Sequence, residues 1–190
     1  MKLDIPFYSQ YSEEIENIWQ TKVCAIVCVK MVLDYFGIKT ETRDLVKEGL
    51  LISKELEKRD RVHDGYTEQY GWGHELLVIL LRNNNIPSYR QEFKNLDHSE
   101  NLLDFGINKI ISNIKAGLPV LVSLAKDINN PRTSGHMVVV SGIEECGDVI
   151  KGLYINDPEA KSDADGKNKF VNISDFKKSW KKLAIFVEKV

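Results

Sequence analysis

Two thiols stand four residues apart at the head of an apolar run, in the stretch QTKVCAIVCVKMVLDYFG from Gln20 to Gly37. Ala25, Ile26, Val29, Val32, Leu33 and Phe36 follow helical spacing, and Gly37 stands where a helix C-cap is expected. Cys24 therefore falls at the start of the helix. Unsatisfied N–H groups and the helix dipole stabilise a thiolate there, and Lys22 adds positive potential nearby. Cys28 falls one turn further in among apolar residues, where a thiol packs as a small hydrophobe. A lone helical cysteine is ordinarily core packing, so position by itself leaves Cys24 open between a nucleophile and a packed thiol.

A thiolate nucleophile needs a base, and the base needs an orienting group. Four histidines are available. His63 and His98 stand among charged neighbours and read as solvated surface. His74, in GWGHE, lies at a helix start, where it borders a cleft or caps the turn. His136 follows Ser134-Gly135 and opens the strand MVVV, so its ring projects from the mouth of a sheet, and Gly135 lets another chain approach. A structural strand histidine is the alternative. Residues 136–145 and 149–158 read as strands joined at Cys146-Gly147-Asp148. Paired residue numbers across that hairpin sum to about 294, which sets His136 opposite position 158 and Asp157 beside it. A carboxylate there can accept the imidazole Nδ1–H and favour the imidazolium; an Asp-Pro turn is the plain alternative. Upstream, the amide of Gln10 in IPFYSQ can donate to an oxyanion together with the Cys24 backbone N–H.

The elements that must position these groups follow from periodicity. Helical pieces are expected at 41–48 and 52–59, a buried helix over 73–83 and another over 103–116. Residues 60–71 read as an exposed loop or flap. A short strand is expected over 87–93, then strands over 118–125 and the two of the hairpin, a short helix at 172–176 with an Asn or Ser cap, and a closing strand in LAIFVEKV. Helices first and an antiparallel sheet afterwards make the fold class α+β. The polar segment 52–72 lies where Tyr66, Tyr70, Trp72 and His74 can form a lid or substrate wall; a solvated loop anchored by one Trp is the bland reading.

Composition narrows the function. The 190 residues, 43% hydrophobic and 28% charged, fit one soluble globular domain over 1–190. A net charge of -2 with interspersed signs excludes the basic face of a nucleic-acid binder. The lysine pairs at 177–178 and 181–182 beside Trp180 read as the solvated outer face of one element. No signal-peptide h-region or membrane-length apolar run is visible, and three cysteines without framework spacing indicate free thiols; the expectation is cytoplasmic. No metal and no cofactor are expected, because Cys24 and Cys28 at i, i+4 match no paired ligand spacing.

IPFYSQ, then WQTKVC opening a helix that ends MVLDYFG, then GLPVLVSL, GHMVVVSGI and LYINDPEA, together resemble the bacterial papain-like peptidases related to bacteriocin leader processing. The resemblance covers residues 4 to about 160, with every motif in order. It implies a papain-like fold, with Cys24 as nucleophile, His136 as base, Asp157 as orienter and Gln10 as oxyanion donor; Gly135, Tyr70, Trp72 and His74 are our own expectation for the substrate site. The resemblance also implies a peptide or protein substrate. The chain departs from the family pattern after the cysteine, where Ala25 and Ile26 stand in place of Gly-Pro. The same constellation serves deamidation, isopeptide cleavage or acyl transfer. The rival from another class is a peptidase-like module that grips a peptide without cutting it.

Overall fold

The structure is a computed structural model that describes residues 1–94, 99–127 and 130–189. In chain order the elements are helices α1 (Cys24–Tyr35) and α2 (Thr42–Glu57), strands β1 (Tyr66–Thr67) and β2 (Gly71–Trp72), helix α3 (His74–Asn83), strand β3 (Ser88–Glu92) and helix α4 (Ser99–Lys115). Strands β4 (Val120–Asp127), β5 (Asn130–Cys146) and β6 (Val149–Asn156) follow, then helix α5 (Asp163–Gly166), strand β7 (Lys169–Asn172), helix α6 (Ile173–Ser179) and strand β8 (Trp180–Val187). A six-stranded antiparallel sheet has the order β3-β8-β4-β5-β6-β7, and β1 pairs with β2 alone. This is the α+β architecture that the periodicity predicts.

α1 is buried almost all round, with every residue from Ala25 to Asp34 inside, because it packs on β5 beneath α2 and α3. It ends as its glycine predicts. Gly37 adopts a left-handed φ of 81°, its N–H reaches Asp34 O at 3.0 Å, and Ile38 N–H reaches Leu33 O at 2.9 Å. These are the two bonds of a Schellman stop.

Several expectations are corrected. The pieces at 41–48 and 52–59 form the single helix α2, because Leu45, Val46, Ile52 and Leu56 make one continuous buried stripe. Gly49 does not interrupt it. A Cβ there would lie 2.6 Å from the Trp72 ring, so the glycine makes room for the indole. The expected loop at 60–71 instead contains a 3-10 turn (Val62–Asp64) and the β1–β2 hairpin. The Ser53 hydroxyl accepts the Tyr66 N–H at 2.8 Å, and Gly73 N–H reaches Gly65 O at 2.8 Å, which gives this polar segment local bonds that composition does not announce.

β5 begins six residues before His136, because β4 continues past Ala125 to pair Asp127 with Asn130 across a bulge. His136 therefore sits within a paired strand, opposite Leu124, and not at its first residue. The helix at 172–176 extends to Ser179, with Asn172 as the cap: its Oδ1 accepts the Asp175 N–H at 3.0 Å. The four lysines near Trp180 do not share one face, since Lys177 and Lys178 belong to α6 and Lys181 and Lys182 to β8. His63 is exposed as expected, and His98 lies outside the described residues. Among the described residues no helix is long and apolar enough to cross a membrane.

Candidate active site

Cys24 is the first residue of α1, partly exposed at the floor of a cleft, whereas Cys28 one turn on has no exposure at all. Cys28 donates its thiol to Met137 O at 3.3 Å, and complete burial together with nearby Cys24 and Asp157 pushes its pKa well above the ordinary thiol value. Burial also acts to raise the Cys24 pKa. A hydrogen bond to His136, the charge of that imidazolium and backbone bonds from Met137 and Ala25 outweigh it, and the thiol ends below its ordinary value. Lys22 does not contribute as its sequence position suggests: it pairs with Glu68 at 2.5 Å.

His136 is buried between two partners. Its Nε2 lies 2.7 Å from Asp157 Oδ1, which leaves Nδ1 for the sulfur of Cys24. The expected contact through Nδ1 is therefore reversed, because Asp157 approaches from the far side of the ring. Burial pulls the imidazole pKa down, but the bonds to Asp157 and Cys24 and their charges override it and raise the value to about 9. Burial likewise acts to raise the Asp157 pKa, while His136 and Lys169 hold it far below the usual carboxylate range. Asp157 Oδ1 also accepts the Glu159 N–H at 3.1 Å, and Lys169 reaches Oδ2 at 3.1 Å.

The hairpin register explains how Asp157 arrives. β5 and β6 pair with a sum of 295 at the turn, where Cys146 faces Val149 across Gly147-Asp148, one more than the expected 294. The irregularity after Glu144 raises it to 296, as in Gly142 with Tyr154, and the one after Val140 returns it to 295, as in Val139 with Asn156. Two residues in this arrangement gave no individual signal in the sequence. Lys169 comes from β7, whose pairing of Ile155 with Lys169 carries it to the edge of the site. Asn156 is wholly buried, donates to Ile5 O at 3.2 Å and accepts the Asn168 N–H at 2.9 Å. It ties the N-terminal segment to the hairpin. Gln10 N–H then reaches Pro158 O at 2.8 Å, which sets the buried Gln10 amide into the cleft wall with its Oε1 unpaired.

The cleft, about 470 Å³, is lined by Gln10, Cys24, Gly135 and His136, and also by Tyr66, Tyr70, Trp72 and His74. Trp72 is mostly buried between Gly49, Trp19 and Tyr66, and its Nε1 donates to Lys22 O at 2.9 Å, two residues before the thiol. Tyr70 is largely exposed at the hairpin tip and packs edge-on against His63. His74 opens α3 with its Nε2 buried and unpaired. A Cβ on Gly135 would meet the Ser123 hydroxyl at 2.7 Å, so the glycine makes room for Ser123. Asp157 stands behind His136 and is not part of the lining.

Such an arrangement can hold a thiolate beside an imidazolium whose outer nitrogen is fixed by a carboxylate, next to an amide. That is the equipment of acyl transfer through a thioester.

The family model described as the Peptidase_C39 like family matches residues 2–184. None of the curated proteins matches the chain. Among solved structures, a chain described as a C39-like peptidase from Bacillus anthracis is 19% identical with a TM-score of 0.66, covering 100% of this chain and 98% of that one. The peptidase domain of Streptococcus ComA, a bifunctional ABC transporter of quorum sensing, is 16% identical with a TM-score of 0.59, covering 97% and 98%. A double glycine motif protease from an AMS/PCAT transporter, in complex with its leader peptide, is 16% identical with a TM-score of 0.56, covering 99% and 94%.

Proposed function

The chain belongs to the Peptidase_C39 like family, and from that premise we propose that it is a cysteine peptidase working through Cys24, His136 and Asp157, with Gln10 as oxyanion donor. The observation that carries the reading is His136 held between Asp157 at 2.7 Å and the Cys24 thiol. In the resting site the Cys24 proton resides on His136 as an ion pair. The thiolate attacks the carbonyl carbon of a peptide bond, and its oxygen takes the negative charge beside the Gln10 amide and the Cys24 backbone N–H. His136 then gives its Nδ1 proton to the departing amine as the C–N bond breaks, leaving a thioester on Cys24. Water, losing a proton to His136, attacks that thioester and releases the carboxylic acid, which restores the thiolate and imidazolium.

Asp157 keeps the ring oriented and favours its charged form throughout. Removing an oxyanion donor costs about 10²–10³ in rate, so Gln10→Ala should retain the thiol's reactivity and lose most of the turnover. Incubation with a diverse peptide library, read by mass spectrometry, tests the proposal. Cleavage by the wild type and none by Cys24→Ala is the expected result; cleavage that survives Cys24→Ala, or none by either protein, rejects it.

A further inference from the structure

The chain carries a net charge of -2, yet four lysines (Lys22, Lys94, Lys126 and Lys181) and one glutamate (Glu68) line the cleft. Two of the lysines are matched locally, Lys22 with Glu68 at 2.5 Å and Lys126 with Glu159 at 3.3 Å. Among the described residues Lys94 has no carboxylate within ion-pair distance. Glu75, which follows His74 in the chain, is paired with Arg90 at 3.2 Å and Arg61 at 3.9 Å.

Next to Lys94 stands His74. Burial, and then the charges of Arg90 and Lys94, depress its pKa to about 4, so it is a neutral imidazole at ordinary pH. His74 lines the cleft, and its Nε2 is buried and without a hydrogen-bond partner among the described residues. A buried polar atom left unmatched is costly, and a ligand that supplies the missing bond recovers that cost. With the tautomer that carries its proton on Nε2, the neutral ring beside the Lys94 ammonium matches a group that accepts hydrogen bonds and carries negative charge. A primary amide satisfies the first demand and not the second.

We propose that the His74–Lys94 end of the cleft is a subsite for a carboxylate of the peptide substrate. It makes the protein selective for peptides with an acidic group at a fixed distance from the scissile bond. The proposal names the substrate class of the cysteine peptidase reading and rests on it for the word substrate, but its test reads binding alone. The carboxylate comes from an Asp or Glu side chain or from the peptide's own C-terminus, and both are covered.

Fluorescent octapeptides carrying Glu or Gln at one position in turn, each with a free or amidated C-terminus, are titrated by anisotropy onto Cys24→Ala protein. At one position, or for the free C-terminus, the acid should bind about tenfold tighter than its neutral counterpart, and added salt should erode the difference. Lys94→Ala should reduce the preference to under about threefold while leaving the Gln peptides' affinity unchanged. Lys94→Glu, at an exposed position that tolerates either charge, should turn it toward Lys peptides. His74→Asn should weaken the acidic peptides more than the neutral ones. The proposal is overturned if no position and neither terminus discriminates, or if the preference persists undiminished in Lys94→Ala. Acid selectivity in binding without cleavage by the wild type would sink the peptidase reading and keep this one; cleavage without acid selectivity would do the reverse.

Discussion

Two histidines border the same cleft, and one is neutral where the other is charged. His74 meets burial with the charges of Arg90 and Lys94 acting in the same direction, and its pKa falls to about 4. His136 meets the same burial with Asp157 on one nitrogen and Cys24 on the other, and its pKa rises to about 9. Burial sets the penalty for charge, and the partner decides whether it is overcome. The cleft therefore contains an imidazolium beside the thiol and a neutral imidazole elsewhere in its lining, which we propose serve proton transfer and the holding of a ligand. Cys24 and Cys28 repeat the lesson on one helix: the thiol in contact with His136 is acidified, and the one that reaches only Met137 O is pushed the other way.

The contrast is broken most completely by Asp157→Asn. Without its carboxylate His136 faces burial much as His74 does, its pKa should fall, and the Cys24 thiol should lose its acidity. Turnover of a cleaved peptide should drop by about 10³–10⁴, with the thiol's alkylation profile moving to higher pH. A loss of less than tenfold would mean that the carboxylate is not what charges the imidazole.

The pH dependence of stability sharpens the comparison, because the two rings act on opposite sides of neutrality. His136 is raised from 6.5 to about 9, so its contribution is complete below pH 6.5 and is lost as pH climbs through 9. His74 is lowered from 6.5 to about 4, so its neutral form supports the fold above pH 6.5, and that support is lost as pH falls toward 4. The His74 contribution amounts to at most about 3 kcal/mol. Urea titrations of the wild type between pH 7 and 4 should therefore show a steeper loss than those of His74→Asn. Parallel curves would remove His74 from the account.

The smallest effect belongs to Lys169. It is half exposed, and Asp157 keeps both His136 and the Glu159 N–H when the lysine is removed. Lys169→Ala should lower turnover by less than about fivefold, in keeping with an exposed ion pair. A drop as large as that of Asp157→Asn would promote the lysine from a supporting contact to a main determinant of the carboxylate's position.

How much of this the sequence discloses depends on how local each signal is. α1 is legible throughout, since its stripe and its Gly37 stop lie within one stretch of chain. The meeting of His136 and Asp157 is legible because a short turn fixes the register, and two bulges shift the pairs by only a residue or so. The face of the ring is not, since no count of residues says whether Asp157 arrives at Nδ1 or at Nε2. Lys169 escapes because it reaches the site through β7 pairing with β6, a long-range match among polar residues with no periodicity to mark it. The β1–β2 hairpin escapes for the same reason: its order comes from Ser53, Gly65 and a Trp72 received by Gly49, not from its own composition. Lys22 fails in the other direction, as a charge beside the thiol in sequence that its ion pair with Glu68 directs elsewhere.

The central claim, that His136 charged by Asp157 makes Cys24 a thiolate, is tested most directly by timed alkylation with iodoacetamide at pH 6, each cysteine's adduct followed by mass. Cys24 should label well ahead of the more exposed Cys146, with Cys28 unlabelled, and in His136→Ala the Cys24 rate should fall to that of Cys146 or below. Cys24 labelling no faster than Cys146 in the wild type, or equally fast in His136→Ala, would contradict the account.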